Sequence, residues 1–256
     1  MKKIKIRLKL LLLALLPRKL KDYFKDLYGF DTALCLKRLK EKNRFIPESI
    51  IDVGAYEGNW TEMVKGIYPE AKILMLEAQP GKESNLKKIS GKFRTTVDYR
   101  ICLLGAENKP SVEFFVLETG SSVLKENTDL PYRILNLPMT TLDQVAKEFV
   151  SSKTTLLKLD LQGYELEALK GAAEVLKQTE MVIMEVSFLS FNQGAALFHE
   201  AVKFMENRGF LVYDVGSQGR WNKDGSLVQA DVFFVKKDSR LRQVDFKQTE
   251  KEAFKR

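Results

Sequence analysis

Ile50-Ile51-Asp52-Val53-Gly54-Ala55-Tyr56-Glu57-Gly58 is the stretch on which the reading of the fold turns. The run Ile50 to Val53 is short, apolar and closed by turn residues, the signature of a buried strand. Gly54 and Gly58 mark a bend, and a helix follows from about Asn59 to Ile67 until Tyr68 and Pro69 stop it. A glycine at position 54 lets the backbone approach a ligand with no Cβ in the way. Free N–H groups at the start of the helix after Gly58 favour an anionic group in front of it.

Outward from this corner, apolar runs alternate with helical patterns, as in a mainly parallel sheet covered on both faces. Lys72 to Glu77 reads as the second strand, Gly81 to Ile89 as a helix and Thr96 to Leu104 as the third strand. From Gly105 to Thr141 the alternation lapses into an insertion, with an extended segment at Ser111 to Leu117 and a Gly-Ser-Ser loop at Gly120 to Ser122. Thr141 and Gln144 have the spacing of a capping box for a helix over Leu142 to Phe149. Leu156 to Asp160 and Met181 to Val186 are further buried strands, with a helix over Tyr164 to Leu176 between them. A helix over Ala195 to Asn207 ends at Gly209, and Phe210 to Val215 and Asp231 to Val235 close the sheet as an antiparallel pair. The organisation expected is a basic amphipathic segment at 1–28, one domain at 29–238 with its insertion around 105–141, and a charged tail at 239–256.

The glycine corner and the acids beside it suit a nucleoside cofactor with a zwitterionic tail. Asp52 can accept from an ammonium directly or through water, and Glu77, ending the second strand, stands where an acid accepts both ribose hydroxyls. Ala55 in the bend and Leu103 in the third strand complete the expected cofactor contacts with Gly54 and Gly58. A nicotinamide dinucleotide is the rival, but it calls for G-x-G-x-x-G, and the run from Gly54 to Gly58 lacks the middle glycine and carries Glu57 instead.

Charge separates the partners. The 256 residues carry a formal +8, and residues 1–25 hold nine Lys or Arg against the single acid Asp22, which accounts for all of it. The remainder is neutral overall, so a phosphate-tracking nucleic-acid face is not supported. The apolar run Leu10 to Leu16 is far shorter than the roughly 20 residues of a membrane span. Residues 1–25 read as a helix packed on the domain or as a peripheral anchor on an anionic membrane, with export the lesser alternative because no A-x-A cleavage site follows Pro17; the expected location is the cytoplasm or the inner membrane face. Two cysteines, Cys35 and Cys102, form no CxxC pair, and one histidine, His199, leaves no multi-His metal centre; no metal ligands are assigned, while an all-carboxylate magnesium site stays open.

Several blocks resemble the FkbM methyltransferase family, over about Ile50 to Val235: Asp52 to Gly58, Leu76 to Pro80, Gly120 to Val123, Thr141 to Asp143 and, longest, Leu157 to Gly171. Tyr56 stands where the family usually has Asn, and Ala78 where it usually has Pro. The resemblance implies an α/β class I methyltransferase fold, with a Rossmann-like, mainly parallel sheet, an antiparallel final pair and helices on both faces. It implies S-adenosylmethionine as cofactor and methyl transfer to a hydroxyl, commonly of a sugar, glycan or related natural product.

An alcohol acceptor has to shed a proton, which calls for a base. Asp160 ends an apolar strand at the ligand side of the sheet and is the first candidate; Glu185, a carboxylate interrupting another apolar strand, is the second. Ser121 and Ser122 are candidate substrate contacts. His199 sits beside a helical apolar stripe and reads as a surface residue. The alternative from another class is a non-catalytic scaffold that keeps the fold and is recruited to a membrane.

Overall fold

The computed structural model describes residues 31–149 and 155–243. The N-terminal segment at 1–28, with the membrane contact read into it, and the tail beyond 243 lie outside the described residues.

The main sheet has seven strands: β1 (Ser49–Val53), β2 (Lys72–Glu77), β3 (Val97–Ile101), β7 (Thr155–Leu159), β8 (Thr179–Ser187), β9 (Phe210–Gly219) and β10 (Gln229–Lys236). Their order is β3-β2-β1-β7-β8-β10-β9, with parallel pairing from β3 to β8 and β10 antiparallel to both its neighbours. The chain leaves β1 toward β2 on one side and returns on the other as β7, so ligand-binding loops converge between β1 and β7.

Strand alternation sorts the core into two layers. Ile51, Val53, Leu74, Leu157 and Leu159 face α4 (Leu142–Ala146), α5 (Glu165–Lys170), α6 (Ala173–Gln178) and α7 (Phe198–Asn207). Ile50, Ile73, Met75, Leu156 and Ile183 face α1 (Thr32–Asn43), α2 (Asn59–Ile67) and α3 (Glu83–Lys92). Each side chain so buried contributes roughly 1.5–3 kcal/mol.

Several elements differ from the sequence expectation. The third strand is divided: Cys102 N–H donates to the Glu77 carbonyl, and Leu103–Leu104 peel away as β4, pairing with Met139 and Thr140. With β5 (Lys109–Val116) and β6 (Arg133–Thr140), β4 makes a separate sheet in the order β4-β6-β5, so the insertion is a folded unit that carries one strand the sequence did not announce. The helix expected over Tyr164 to Leu176 is broken at Gly171, where a Cβ would stand 2.3 Å from the Gly105 carbonyl oxygen. There Asp143 accepts from the orphaned N–H groups of Glu174 and Val175, at 2.9–3.0 Å, and starts α6 from outside its own segment. The capping box at Thr141 is half formed: its hydroxyl accepts from Gln144 N–H, while the Gln144 side chain accepts from Thr140 instead.

Candidate active site

At the junction of β1 and β7 a cavity is lined by the Gly54 turn, Glu77, Leu103, Phe114, Asp160 and the Ser121–Ser122 segment, among others. Gly54 has φ +75°, and a Cβ there would lie 1.9 Å from the Asp160 carbonyl oxygen. The two ligand-side turns therefore press together only because residue 54 has no side chain. Tyr56 holds φ +51°, a left-handed conformation costly to a bulky residue. Its N–H donates to Glu77 at 2.7 Å, and the other Glu77 oxygen accepts from Gln79 N–H at 2.8 Å. Burial pushes the Glu77 carboxyl up, and these backbone donors pull the other way. Each oxygen keeps a lone pair free to accept a hydroxyl.

Asp52 lies behind the wall, fully buried. One oxygen accepts from the Thr61 hydroxyl at 2.7 Å; the other lies 3.1 Å from the Lys158 ammonium, an ion pair at an angle that leaves that oxygen with no proper hydrogen bond. Lys158 also donates to the Gly54 carbonyl at 3.0 Å and stands 3.9 Å from Asp160. Desolvation opposes its charge, but Asp52, Asp160 and Asp231 together overcome that and push its pKa up. A permanent cation thus sits beneath the glycine turn and ties its carbonyl to both acids.

Asp160 reaches the cavity with its side chain 37% exposed. Gln162, at φ +53°, donates from one amide nitrogen to Asp160 and to Glu185, each at 2.8 Å, and Gln229 donates to Glu185 at 2.7 Å. Glu185 is pushed well above the carboxylate range by burial first, then by Asp160, Glu165 and Asp231. Glu165 accepts from the N–H groups of Leu161 and Gly163, holding the turn below Asp160, and burial pushes it up to about 7.

The small sheet roofs the cavity. Phe114 on β5 contributes an apolar wall, and the strand runs into a turn where Glu118 accepts from Tyr56 Oη at 2.7 Å and pairs with Lys82 at 2.9 Å. The Lys82 ammonium also lies 3.9 Å from the Tyr56 ring centre, so three residues from three segments close one side of the mouth. Both serines are engaged within the protein: Ser121 donates to the Glu118 carbonyl in the roof, and the Ser122 hydroxyl donates across to the Leu161 carbonyl, 3.0 Å away in the turn after β7.

Of the residues expected to meet a cofactor, Gly54, Ala55, Glu77 and Leu103 line the cavity, together with Asp160. Asp52 and Gly58 do not; Gly58 starts α2 at φ +81° and packs below the turn, where a Cβ would lie 2.9 Å from Ile89. Glu185 does not reach the cavity either, because its carboxylate is taken up by the two glutamines. The serines line it but carry hydroxyls already spent, and His199 is exposed on α7. Sequence reasoning passed over Lys158, Gln162 and Glu118. The signal for Lys158 was present: a lone lysine inside the apolar strand Leu156 to Leu159 needs a buried acid as partner. Among the described residues no cluster of three or more His, Cys, Asp or Glu is set to hold a metal, and no helix is long and apolar enough to cross a membrane.

A seven-stranded sheet of this order, with its cavity at the reversal between β1 and β7, defines a class I, Rossmann-like methyltransferase fold. The model of the methyltransferase FkbM domain matches residues 52–212, more than half of the chain, and the protein belongs to that family. The fold resembles the crystal structure of methyltransferase FkbM from Methylobacillus flagellatus KT, with a TM-score of 0.50 and 12% identity, covering 78% of this chain and 47% of that one. The chain thus spans about half the length of that protein. Precorrin-6y C5,15-methyltransferase from Geobacter metallireducens GS-15 aligns with a TM-score of 0.47 and 12% identity, over 80% of this chain and 87% of its own. Aeropyrum pernix fibrillarin, solved with natively bound S-adenosyl-L-methionine, aligns with a TM-score of 0.46 and 11% identity, over 80% and 73%. No curated protein matches the sequence.

Proposed function

We propose that the chain is an S-adenosylmethionine-dependent O-methyltransferase that acts on a hydroxyl of a sugar, glycan or related natural product. The observation that carries this reading is the meeting, in one cavity wall, of a Cβ-free turn, the Glu77 carboxylate and the Asp160 carboxylate. The donor set suits the cofactor: Glu77 has acceptor capacity for a ribose diol, Leu103 and Phe114 offer an apolar slot for a purine, and Gly54 leaves room for the amino-acid tail.

The cofactor supplies an electrophilic methyl group on a sulfonium. The work left to the protein is alignment and removal of one proton. Asp160, steered by Gln162 and Lys158, is the group that would take the acceptor's hydroxyl proton and end as a protonated carboxyl, while the bound sulfonium would supply the methyl group. Glu185 and Glu165 position this acid from behind.

Calorimetry with S-adenosylhomocysteine tests the cofactor half: binding in the micromolar range, about −8 kcal/mol, is expected. Glycans from cells with and without the protein, compared by mass spectrometry, test the acceptor half through the loss of one methylene mass per site. Cofactor binding with no glycan changed would leave the scaffold reading standing, and thermal protection by NAD instead would return the dinucleotide.

A further inference from the structure

Trp221 lies on the loop between β9 and β10, 55% exposed, yet it is seated rather than free. Its six-membered ring occupies the space that a side chain at Gly219 would take, with Cζ3 1.8 Å from where that Cβ would stand. The Phe191 ring, from the loop after β8, meets it nearly at right angles with centres 6.3 Å apart, and Leu189 on the same loop is 41% exposed. An indole packed on two sides and bare over more than half its surface forfeits transfer free energy unless something covers it. Such preorganised aromatics are where ligands gain most.

The place in the fold is informative. β8 and β9 are both antiparallel to β10, so the loops after Ser187 and Gly219 emerge at the sheet edge that carries Gly54 and Asp160. Gly219 pairs with Gln229, Gln229 pairs with Ser187 and donates to Glu185, and Gln162 bridges Glu185 to Asp160. Three strand spacings, about 14 Å at ~4.8 Å each, lie between β7, which leads to Asp160, and β9, which leads to Trp221.

We infer that Trp221, seated on Gly219 and braced by Phe191, is a distal acceptor subsite that stacks on the C–H face of a sugar ring, so that the acceptor is an oligosaccharide rather than a single sugar. This rests on the glycan reading given above. The polar neighbours suit a ligand that presents hydroxyl groups around an apolar face: Arg220 and Asn222, on either side of Trp221 in the chain, are held by Gln218, Ser226 and the Gly225 carbonyl. The nearest charged residues in the chain, Arg220, Lys223 and Asp224, mix both signs and form no block of like charge of the kind that gathers a polyanion.

The test is calorimetry on the full chain with soluble hexasaccharides of glucose, mannose, galactose and rhamnose, with S-adenosylhomocysteine titrated in parallel. At least one hexasaccharide is expected to bind saturably, at least about tenfold more weakly in Trp221→Ala. Gly219→Ala is expected to weaken it comparably, because the new methyl displaces the ring while removing no ligand contact. S-adenosylhomocysteine affinity stays unchanged in both variants, which shows that they fold. A wild-type chain that takes up S-adenosylhomocysteine and none of the hexasaccharides overturns the subsite, as does equal sugar binding in Trp221→Ala. Trp221-dependent binding to phosphatidylcholine vesicles with no sugar response overturns it in favour of a lipid surface. Failure of S-adenosylhomocysteine to bind would instead count against the cofactor reading, while the sugar titration still reports on Trp221.

Discussion

Among single residues, Lys158 and Asp52 matter most to one another. Removing one member of a buried ion pair leaves the other charge uncompensated, at a cost of about 3–5 kcal/mol. Lys158→Met is therefore expected to lower the urea midpoint sharply, and adding Asp52→Asn should recover much of the loss; no recovery would mean that the pair is not the source. Glu77→Ala should abolish detectable S-adenosylhomocysteine binding in calorimetry and cost about 1–3 kcal/mol of stability, because the N–H groups of Tyr56 and Gln79 lose their acceptor. Glu77 and Gly54 were legible in the sequence because an acid or a glycine that closes an apolar strand adds nothing to the core and so points to the turn and its ligand side. Asp52 was legible as an acid but not as a partner of Lys158, because that contact joins two strands 106 positions apart and shows in no local pattern.

At the scale of elements, strands and helices with strong periodicity lay where the pattern put them: Asn59–Ile67 and Lys72–Glu77 match residue for residue. Those that failed were decided by distant partners. α1 went unannounced although Asp31 caps it and Thr32, Cys35, Leu36 and Leu39 repeat at helical spacing; the stripe is short and its lysines and arginines mask it. The break at Gly171 depends on the approach of Gly105, and the rescue of α6 depends on Asp143, neither visible from the local run. Asp143→Ala should cost about 1 kcal/mol of stability, as the loss of a helix cap does. Chemical denaturation reads it, and a change well below this would show that water replaces the carboxylate at no cost. Amides of Glu174 and Val175 should lose hydrogen-exchange protection in the same variant.

For the molecule as a whole, buried carboxyls set the response to pH. Glu165, raised by burial to about 7, binds its proton more tightly folded than unfolded, and Glu185 is raised as well. Their contribution is therefore fully present below the unfolded value near 4.5 and is lost as pH rises through about 7, by on the order of 3 kcal/mol for Glu165. Stability measured from pH 5 to 8.5 should fall, and Glu165→Gln, whose oxygen can still accept from Leu161 and Gly163, should flatten the slope; an unchanged slope would remove Glu165 from this role. The sequence foretold the parallel sheet, its switch point and the extended segment that became β5, but not β6 or the pairing of β4 with it, since that pairing joins Leu103 and Leu104 to Met139 and Thr140 from distant parts of the chain. That stitching has a corollary. Because Leu103 and Leu104 run straight out of the main sheet into the canopy above the cavity, the canopy cannot swing away as a body without unzipping them. The Tyr56–Lys82–Glu118 clasp is different in kind: it joins three segments through side chains alone, so that side of the mouth can open by side-chain rotation while the canopy stays in place.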